Sequence, residues 1–190
     1  MKRIVSALLC AVLLFSLAAC GASAPGDTTD DAPASALELL ENVWNGYSDE
    51  EKFPAAGGDY SEENMRDGAP GNFDISDAEI LNSSLGFPAD EAGKIDGAAS
   101  LMHMMNLNTF TCGVFHVKES GDVAALCSAL RENILARHWM CGFPDKLVIA
   151  AVGDYIVSVY GNEELVDTFA AKLAAAYPNA KTVSDEPIVA

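Results

Sequence analysis

The sequence predicts an α+β fold, a two-layer sandwich in which a small, mostly antiparallel sheet carries helices on one face. Three observations support this prediction. Residues 108–118 alternate β-branched and aromatic residues with polar ones, as a strand does. Residues 146–152 (KLVIAAV) and 155–160 (YIVSVY) are apolar runs joined by Gly153-Asp154, the composition of a two-residue hairpin turn. Elsewhere in this half of the chain, apolar residues recur at helical spacing.

N-terminal helices are expected to precede this sheet. Residues 35–47 begin with a capping box, in which Ser35 can accept a bond from a free amide and Glu38 can reach back. Apolar residues at helical spacing follow the box, including Trp44 and Tyr47. We therefore expect a first helix here, with its apolar stripe in the core.

The next segment is predicted to hold a long loop and further helix. Residues 48–72 are poor in apolar residues and rich in glycine and acids, which is typical of a solvated loop. Ser76 and Glu79 form a second capping box and predict a short helix. Residues 89–105 are expected to be helical in part.

The core is predicted to run in the order β-α-β-β-α. Ser120 is the expected N-cap of a helix over residues 120–138, between the first strand and the hairpin. Asn162 is expected to cap a last amphipathic helix, which Pro178 stops. With the hairpin, these elements complete the predicted sheet and its helical layer.

The first twenty residues predict an address outside the cytoplasm. Lys2 and Arg3 precede an apolar run, and small residues then lead into Cys20, which is the order of regions in a secretory signal. The sequence Leu-Ala-Ala-Cys ending at Cys20 resembles the lipobox of bacterial lipoproteins. That resemblance implies cleavage before Cys20, a diacylglycerol on its thiol, acylation such as palmitate, and a lipid anchor on the extracytoplasmic face of the cell membrane. Ordinary secretion with a free Cys20 is the alternative.

The sequence therefore divides into five predicted segments. The signal peptide is followed by the lipidated cysteine with a flexible tether, the N-terminal helices with the acidic loop, the α+β core domain and a C-terminal tail. In that order the segments are residues 1–19, 20–34, 35–103, 104–180 and 181–190. Fully extended, the tether would reach at most roughly 46 Å.

The charge of the chain excludes some partners. After the predicted cleavage, nine basic residues stand against 28 acidic ones, a formal net charge of −19. Nucleic acid and anionic lipid surfaces both require basic patches, so we expect neither nucleic-acid binding nor electrostatic docking on lipid. The acidic residues indicate either solubility in the cell envelope or attraction of cations or a basic partner.

The region from about residue 104 to residue 177 resembles a known family. The resembling features are a strand entered through Met105-Asn106, an amphipathic helix, the segment WMCGFP over residues 139–144, an apolar strand and the Gly153-Asp154-Tyr155 turn. This region is similar to the domain of unknown function 4358, found in lipoproteins of Gram-positive anaerobes and their relatives. The resemblance implies a lipoprotein setting and a small α+β domain, and it carries over no functional residues.

No established catalytic or nucleotide-binding motif occurs in the sequence, and no cofactor is expected. One metal site is conceivable, because Met102, His103 and Met105 offer the soft ligands that suit copper(I). The alternative is a helix end that enters the core, with methionines filling gaps. Cys112 and Cys127 are expected to be small buried thiols, and because they form an odd number with Cys141, at least one of the three stays free or pairs elsewhere.

Three functional hypotheses follow from these observations. The first is a membrane-anchored, non-enzymatic binding or interaction domain, whose ligand is an envelope protein or a small molecule. The second is an enzyme that acts on envelope material, with polar residues converging near His138, Trp139 and the acidic loop. The third is a copper-binding lipoprotein that uses Met102, His103 and Met105. A histidine within hydrogen-bond reach of a carboxylate in a pocket would favour the second hypothesis.

Overall fold

The helices and strands of the chain are seen in a computed structural model, which describes residues 32–140 and 142–189. The predicted signal peptide, Cys20, most of the tether and Cys141 lie outside the described residues. In chain order the four α-helices and eight strands of the described residues are α1 (Ala36–Asn45), β1 (Ala55–Gly57), β2 (Arg66–Asp67), β3 (Gly71–Asn72), α2 (Ala78–Leu85), β4 (Ile95–His103), β5 (Phe110–Val117), α3 (Val123–Leu135), β6 (Lys146–Val152), β7 (Tyr155–Gly161), α4 (Glu163–Ala176) and β8 (Lys181–Pro187).

The eight strands form one sheet, in the order β2-β1-β4-β5-β7-β6-β8, with β3 also paired to β4. Every strand pair in the described part of the chain is antiparallel. The predicted β-α-β-β-α order is confirmed as β5-α3-β6-β7-α4. The predicted hairpin turn is also confirmed, with Gly153 at a φ of +57° between β6 and β7. The α+β sandwich is therefore the fold that the sequence predicts.

Helices cover both faces of the sheet, which corrects the expectation of helices on one face only. α1 and α4 pack on one face, where Phe169 is fully buried. α2 and α3 pack on the other face, where Leu130 is fully buried. Neighbouring residues of a strand point to opposite faces, so Val114 belongs to the first core and Phe115 to the second. Because both faces of the central strands are apolar, both must be covered by helices. The fold therefore has three layers and not the two that were predicted.

Two predicted helix caps are confirmed. The Ser35 hydroxyl accepts a bond from the Glu38 N–H at 3.1 Å, and the Glu38 carboxylate accepts one from the Ala34 N–H at 2.8 Å. The side chain of Asn162 accepts a bond from the Glu164 N–H at 3.1 Å, at the start of α4. Both caps satisfy amides that a helix leaves without an internal partner.

Two other predicted helix starts are displaced. α2 is capped by Asp77 and not by Ser76, because the Asp77 carboxylate reaches two amides of the first turn, at 3.0 and 3.1 Å. Ser120 opens a 3-10 turn, and α3 begins only at Val123, without a side-chain cap. α3 also ends at Leu135, three residues before the predicted end.

Three segments form strands of the sheet although they were predicted to be a partial helix, a loop and a tail. Within residues 89–105, expected to be helical in part, Ala89–Lys94 form a 3-10 helix. Residues 95–103 instead form β4, which is held by β5 on one side and by β1 and β3 on the other. The predicted loop over residues 48–72 supplies the short strands β1, β2 and β3. The predicted tail forms the edge strand β8, and the Arg131 guanidinium of α3 binds the Glu186 carboxylate there through two bonds of 2.5 Å.

The chain enters the domain at one end of the sheet, which we term the hairpin end because the Gly153-Asp154 turn lies there. Pro33 is buried, and its carbonyl accepts a bond of 2.9 Å from the buried Tyr155 hydroxyl. Tyr155 is the first residue of β7, so Pro33 is fixed beside the hairpin. The last residues of the predicted tether are therefore held by the domain.

The opposite end of the sheet, which we term the cleft end, is formed by three loops. Residues 104–109 connect β4 to β5, residues 136–145 connect α3 to β6, and Asn162 joins β7 to α4. Since β7 contains seven residues, the two ends lie roughly 20 Å apart.

Among the described helices, none combines the length and the apolar character that a membrane crossing demands. The longest, α4, has 14 residues. A span of the bilayer needs about 20 apolar residues.

Candidate functional site

A small open cleft lies at the cleft end, where the three loops meet. Its volume is about 160 Å³, which suits one side chain or one small chemical group. Five of its seven lining residues carry an amide, hydroxyl or carboxylate group, and Phe143 supplies its one aromatic wall. The polar lining residues are Asn106, Asn108, Thr109, Asp145 and Asn162, with Gly142 between them.

Asn108 holds two of the three loops together. Its side-chain Nδ2 donates to the carbonyl of Met140 at 2.9 Å and to the carbonyl of Gly142 at 3.0 Å. Gly142 has a φ of +130°, and a Cβ there would lie 3.1 Å from Nδ2 of Asn106. The close approach of the loops therefore depends on glycine at this position. Both N–H groups of the Asn108 amide are used, which leaves its Oδ1 as the acceptor available to a ligand.

Asp145 supplies the carboxylate of the cleft. Its Oδ2 accepts long bonds, both of 3.3 Å, from Asn162 Nδ2 and from the N–H of Glu163 in the first turn of α4. Within the described residues no donor reaches its Oδ1. The backbone of Asp145 is fixed independently, because its N–H donates to Gly161 and its carbonyl accepts from Ile188. The backbone that carries this carboxylate is therefore fixed, and one carboxylate oxygen remains available.

The cations near Asp145 are bound to other groups. Lys146, the next residue, lies 2.6 Å from an Asp167 oxygen and 2.8 Å from an Asp185 oxygen. These two hydrogen bonds raise the pKa of Lys146, which stays charged and paired. None of the described lining residues is a lysine, arginine or histidine. The cleft thus carries negative charge that no cation of its own lining neutralises.

Exposed apolar side chains are frequent at the cleft end. Nine large apolar side chains are exposed among the described residues, and five of them lie at the cleft end. Met105 is 82 % exposed, Met140 is 78 % exposed and Phe143 is 44 % exposed. The other two are Met104 and Val189. Apolar side chains gathered in this way mark a surface that contacts another molecule.

An aromatic group supports the cleft from the α3 side of the sheet. The Trp139 ring packs edge-on to Phe143 at 6.4 Å and against the buried Tyr160 at 5.3 Å, centroid to centroid. The Arg137 guanidinium lies 5.2 Å from the Trp139 ring centre and donates to the Tyr160 hydroxyl and the Ser83 carbonyl. Arg137 therefore fixes the base of the 136–145 loop.

The predicted copper ligands do not share one surface. Met102 is buried with the α2/α3 core, where its sulfur accepts a bond from the Tyr60 hydroxyl at 3.8 Å. His103 is on the opposite side of β4, with its ring stacked on Phe53 at 5.7 Å and its Nδ1 accepting from the Met105 N–H. Only His103 and the exposed Met105 are brought together. The expectation of a helix end here is corrected, because residues 102 and 103 belong to strand β4.

The three histidines lie in different places. His138 is exposed and follows the end of α3. His116 Nδ1 lies 2.5 Å from a carboxylate oxygen of Asp96, and its ring packs on Tyr155 at 4.7 Å. This pair is at the hairpin end, six residues along β5 from the cleft side, and it lines no part of the cleft.

The acidic loop is organised by one carboxylate. Burial acts to raise the pKa of Asp59, but bonds from the Ser61 and Asp74 amides and the Asn64 side chain outweigh it and lower that pKa to about 2. Groups of three or more histidine, cysteine or acidic side chains that could hold a metal do not occur within the described ranges.

The two described cysteines are buried, as the sequence predicts. Cys112 lies in the α1/α4 core and Cys127 in the α2/α3 core, and neither forms a disulfide. Burial raises the pKa of the Cys112 thiol well above its ordinary value and that of the Cys127 thiol to about 11. Both thiols are therefore in their unreactive, protonated form.

No family model, curated protein or solved structure matches the chain at a significant level. The resemblance to the domain of unknown function 4358 therefore stays a prediction. Among the residues of the cleft end, the sequence marked Met105 as a candidate metal ligand and the surroundings of His138 and Trp139 as a candidate enzyme site. Asn108 and Asp145 were not candidates from the sequence.

Proposed function

We propose that this chain is a membrane-tethered, extracytoplasmic interaction domain that is not an enzyme, and that the cleft end of the sheet is its docking face. The observation that carries the proposal is the presence of exposed apolar side chains, Met105, Met140 and Phe143 among them, on the loops that form this polar cleft. Protein interfaces combine an apolar centre rich in methionine and aromatic residues with polar groups beside it.

The position of the chain entry supports the same proposal. With Cys20 lipidated, the tether would join the domain at Pro33, at the hairpin end. The attachment point then lies at the other end of the sheet from the cleft, so the chain entry does not occupy the cleft end.

An enzymatic role receives less support from the same geometry. The His116–Asp96 pair is the arrangement most typical of acid–base chemistry, but it is exposed and lies at the hairpin end, roughly 20 Å from the cleft along β5. It supplies no acid or base to the cleft. The cleft itself pairs one carboxylate with amide groups, which suits recognition.

The proposal is tested by crosslinking in living cells followed by mass spectrometry. The tagged full-length chain is compared with Met105→Asp/Met140→Asp at the cleft end and with Ile80→Asp/Val183→Asp, which changes two exposed apolar residues elsewhere. We expect at least one envelope protein to be enriched with the wild type and the Ile80/Val183 variant and lost with the Met105/Met140 variant. Cys20→Ala should reduce its capture as well. The same capture from both double variants would contradict the proposal.

A further inference from the structure

The polar atoms of the cleft define the chemistry of what enters it. Both N–H groups of the Asn108 amide are bound to loop carbonyls, and the Asn162 amide is bound to Asp145 and to the α4 amide of Glu164. The groups left to a ligand include two acceptors, Oδ1 of Asn108 and Oδ1 of Asp145, beside the Thr109 hydroxyl and the second N–H of Asn162 Nδ2. A ligand that brings several hydrogen-bond donors can therefore bind both acceptors at once.

The charge around the cleft favours a cationic donor. Glu163 and Glu164 are exposed at the start of α4, directly after the lining residue Asn162. The nearest lysine in the sequence, Lys146, is paired with two carboxylates. An anionic group in this cleft would meet a carboxylate and no free cation, whereas a positive charge would be attracted.

The size and walls of the cleft favour one flat side chain. A volume of about 160 Å³ is below that of a drug-sized ligand site. The guanidinium group of arginine is flat, carries five N–H donors in a fork and stacks on aromatic rings such as that of Phe143. Arginine is also enriched at the centres of protein interfaces.

We propose that the cleft binds an arginine side chain of the partner protein, with the guanidinium donating to Asp145 and Asn108 and with apolar residues beside the arginine packing on Met105 and Met140. This inference rests on the proposed docking function and names the chemistry of its partner. The occupant is therefore a basic, partly apolar segment, which matches the strongly acidic composition of the chain.

The first test uses a defined peptide. The full-length chain in detergent is titrated with acetyl-Leu-Arg-Leu-amide and with the same peptide containing citrulline, which has nearly the same shape and no charge. We expect the arginine peptide to shift the NMR signals of the Gly142 amide and the Asn108 side-chain amide, and to bind at least fivefold more tightly than the citrulline peptide. Added salt should weaken the binding of the arginine peptide only, because its higher affinity is electrostatic. Equal binding of the two peptides would overturn the inference.

Asp145→Asn and Asp154→Asn provide matched variants with the same change of charge. Asp154 is exposed in the hairpin turn at the other end of the sheet. An asparagine at position 145 can still accept the two bonds that Asp145 accepts, so we expect both variants to fold and to melt near the wild-type temperature. The arginine peptide should bind at least fivefold more weakly to the Asp145 variant, and its affinity for the Asp154 variant should equal that for the wild type.

The cellular capture separates failure of this inference from failure of the proposed function. If the Met105/Met140 variant loses the partner and Asp145→Asn keeps it fully, the cleft end docks a protein but does not use the cleft for arginine. If the wild type itself captures nothing through the cleft end, the docking function is wrong. Loss of the partner with both variants, and not with Asp154→Asn, is the expected result.

Discussion

Asn108 should stabilise the cleft by holding two loops together, and its removal gives the sharpest structural test. Asn108→Ala deletes the bonds of 2.9 and 3.0 Å to the carbonyls of Met140 and Gly142. A typical intramolecular hydrogen bond contributes about 0.5–1.5 kcal/mol, and water can replace both donors at this exposed site. We therefore expect the free energy of unfolding to fall by about 1–2 kcal/mol.

Urea denaturation and thermal melting measure this change. For a domain of this size, each 1 kcal/mol corresponds to roughly 2–4 °C in Tm, so Asn108→Ala should melt about 2–8 °C lower. Asn72→Ala is the control, because Asn72 is exposed in β3 and forms no side-chain bond within the described residues. It should change stability by no more than about 0.5 kcal/mol. Equal stability of the two variants would refute the role assigned to Asn108.

Three further predictions concern the cores, the acidic loop and the thiols. Leu39→Ala in α1 and Leu130→Ala in α3 should each cost about 2–5 kcal/mol by denaturation, since each empties a fully buried site on a different face; a nearly neutral result for either would contradict the three layers. Because the pKa of Asp59 is lower in the folded state, its ionised carboxylate stabilises the fold fully at pH values above the ordinary aspartate pKa of about 4. That stabilisation is lost as the pH falls through about 2. Asp59→Asn should therefore be less stable than wild type at neutral pH, and an acid titration of stability should show the difference vanishing below about pH 2. Cys112 and Cys127 should resist iodoacetamide in the native state and react on unfolding, as mass spectrometry of labelled peptides would show; fast native labelling would refute their burial.

Elements with strong local signals were predicted correctly. The Gly153-Asp154 hairpin, the Ser35 cap and the apolar stripes of α3 and α4 depend on residues close together in the sequence. Turn composition and helical spacing encode such elements directly, so tertiary structure does not need to be known.

β4 and β8 were missed because other parts of the chain impose their structure. Residues 95–103 contain alanine, leucine and methionine, which favour helix, yet they pair with strands on both sides. Residues 181–187 include Asp185, Glu186 and Pro187, which are rare inside strands but common on the protected edge of a sheet. The local preferences of the residues do not predict these two strands, because pairing with neighbouring strands determines their structure.

The second helical layer had a signal in the sequence. β6 is apolar at nearly every position, which indicates burial on both faces and therefore cover on both faces. The cleft had no such signal, since residues 106–109, 142–145 and 162 meet only after the sheet has formed. Met105 was singled out as a soft metal ligand, whereas its exposure beside the cleft favours a contact surface.

Position-specific photo-crosslinking in cells shows which end of the sheet contacts the partner protein. A photoreactive amino acid is placed at residue 105 or 143 at the cleft end, and at residue 96 or 154 at the hairpin end, all of which are exposed. We expect the cleft-end positions to give the same discrete protein adduct and the hairpin-end positions not to give it. An adduct that forms from the hairpin end, or equally from both ends, would contradict the assignment of the docking face.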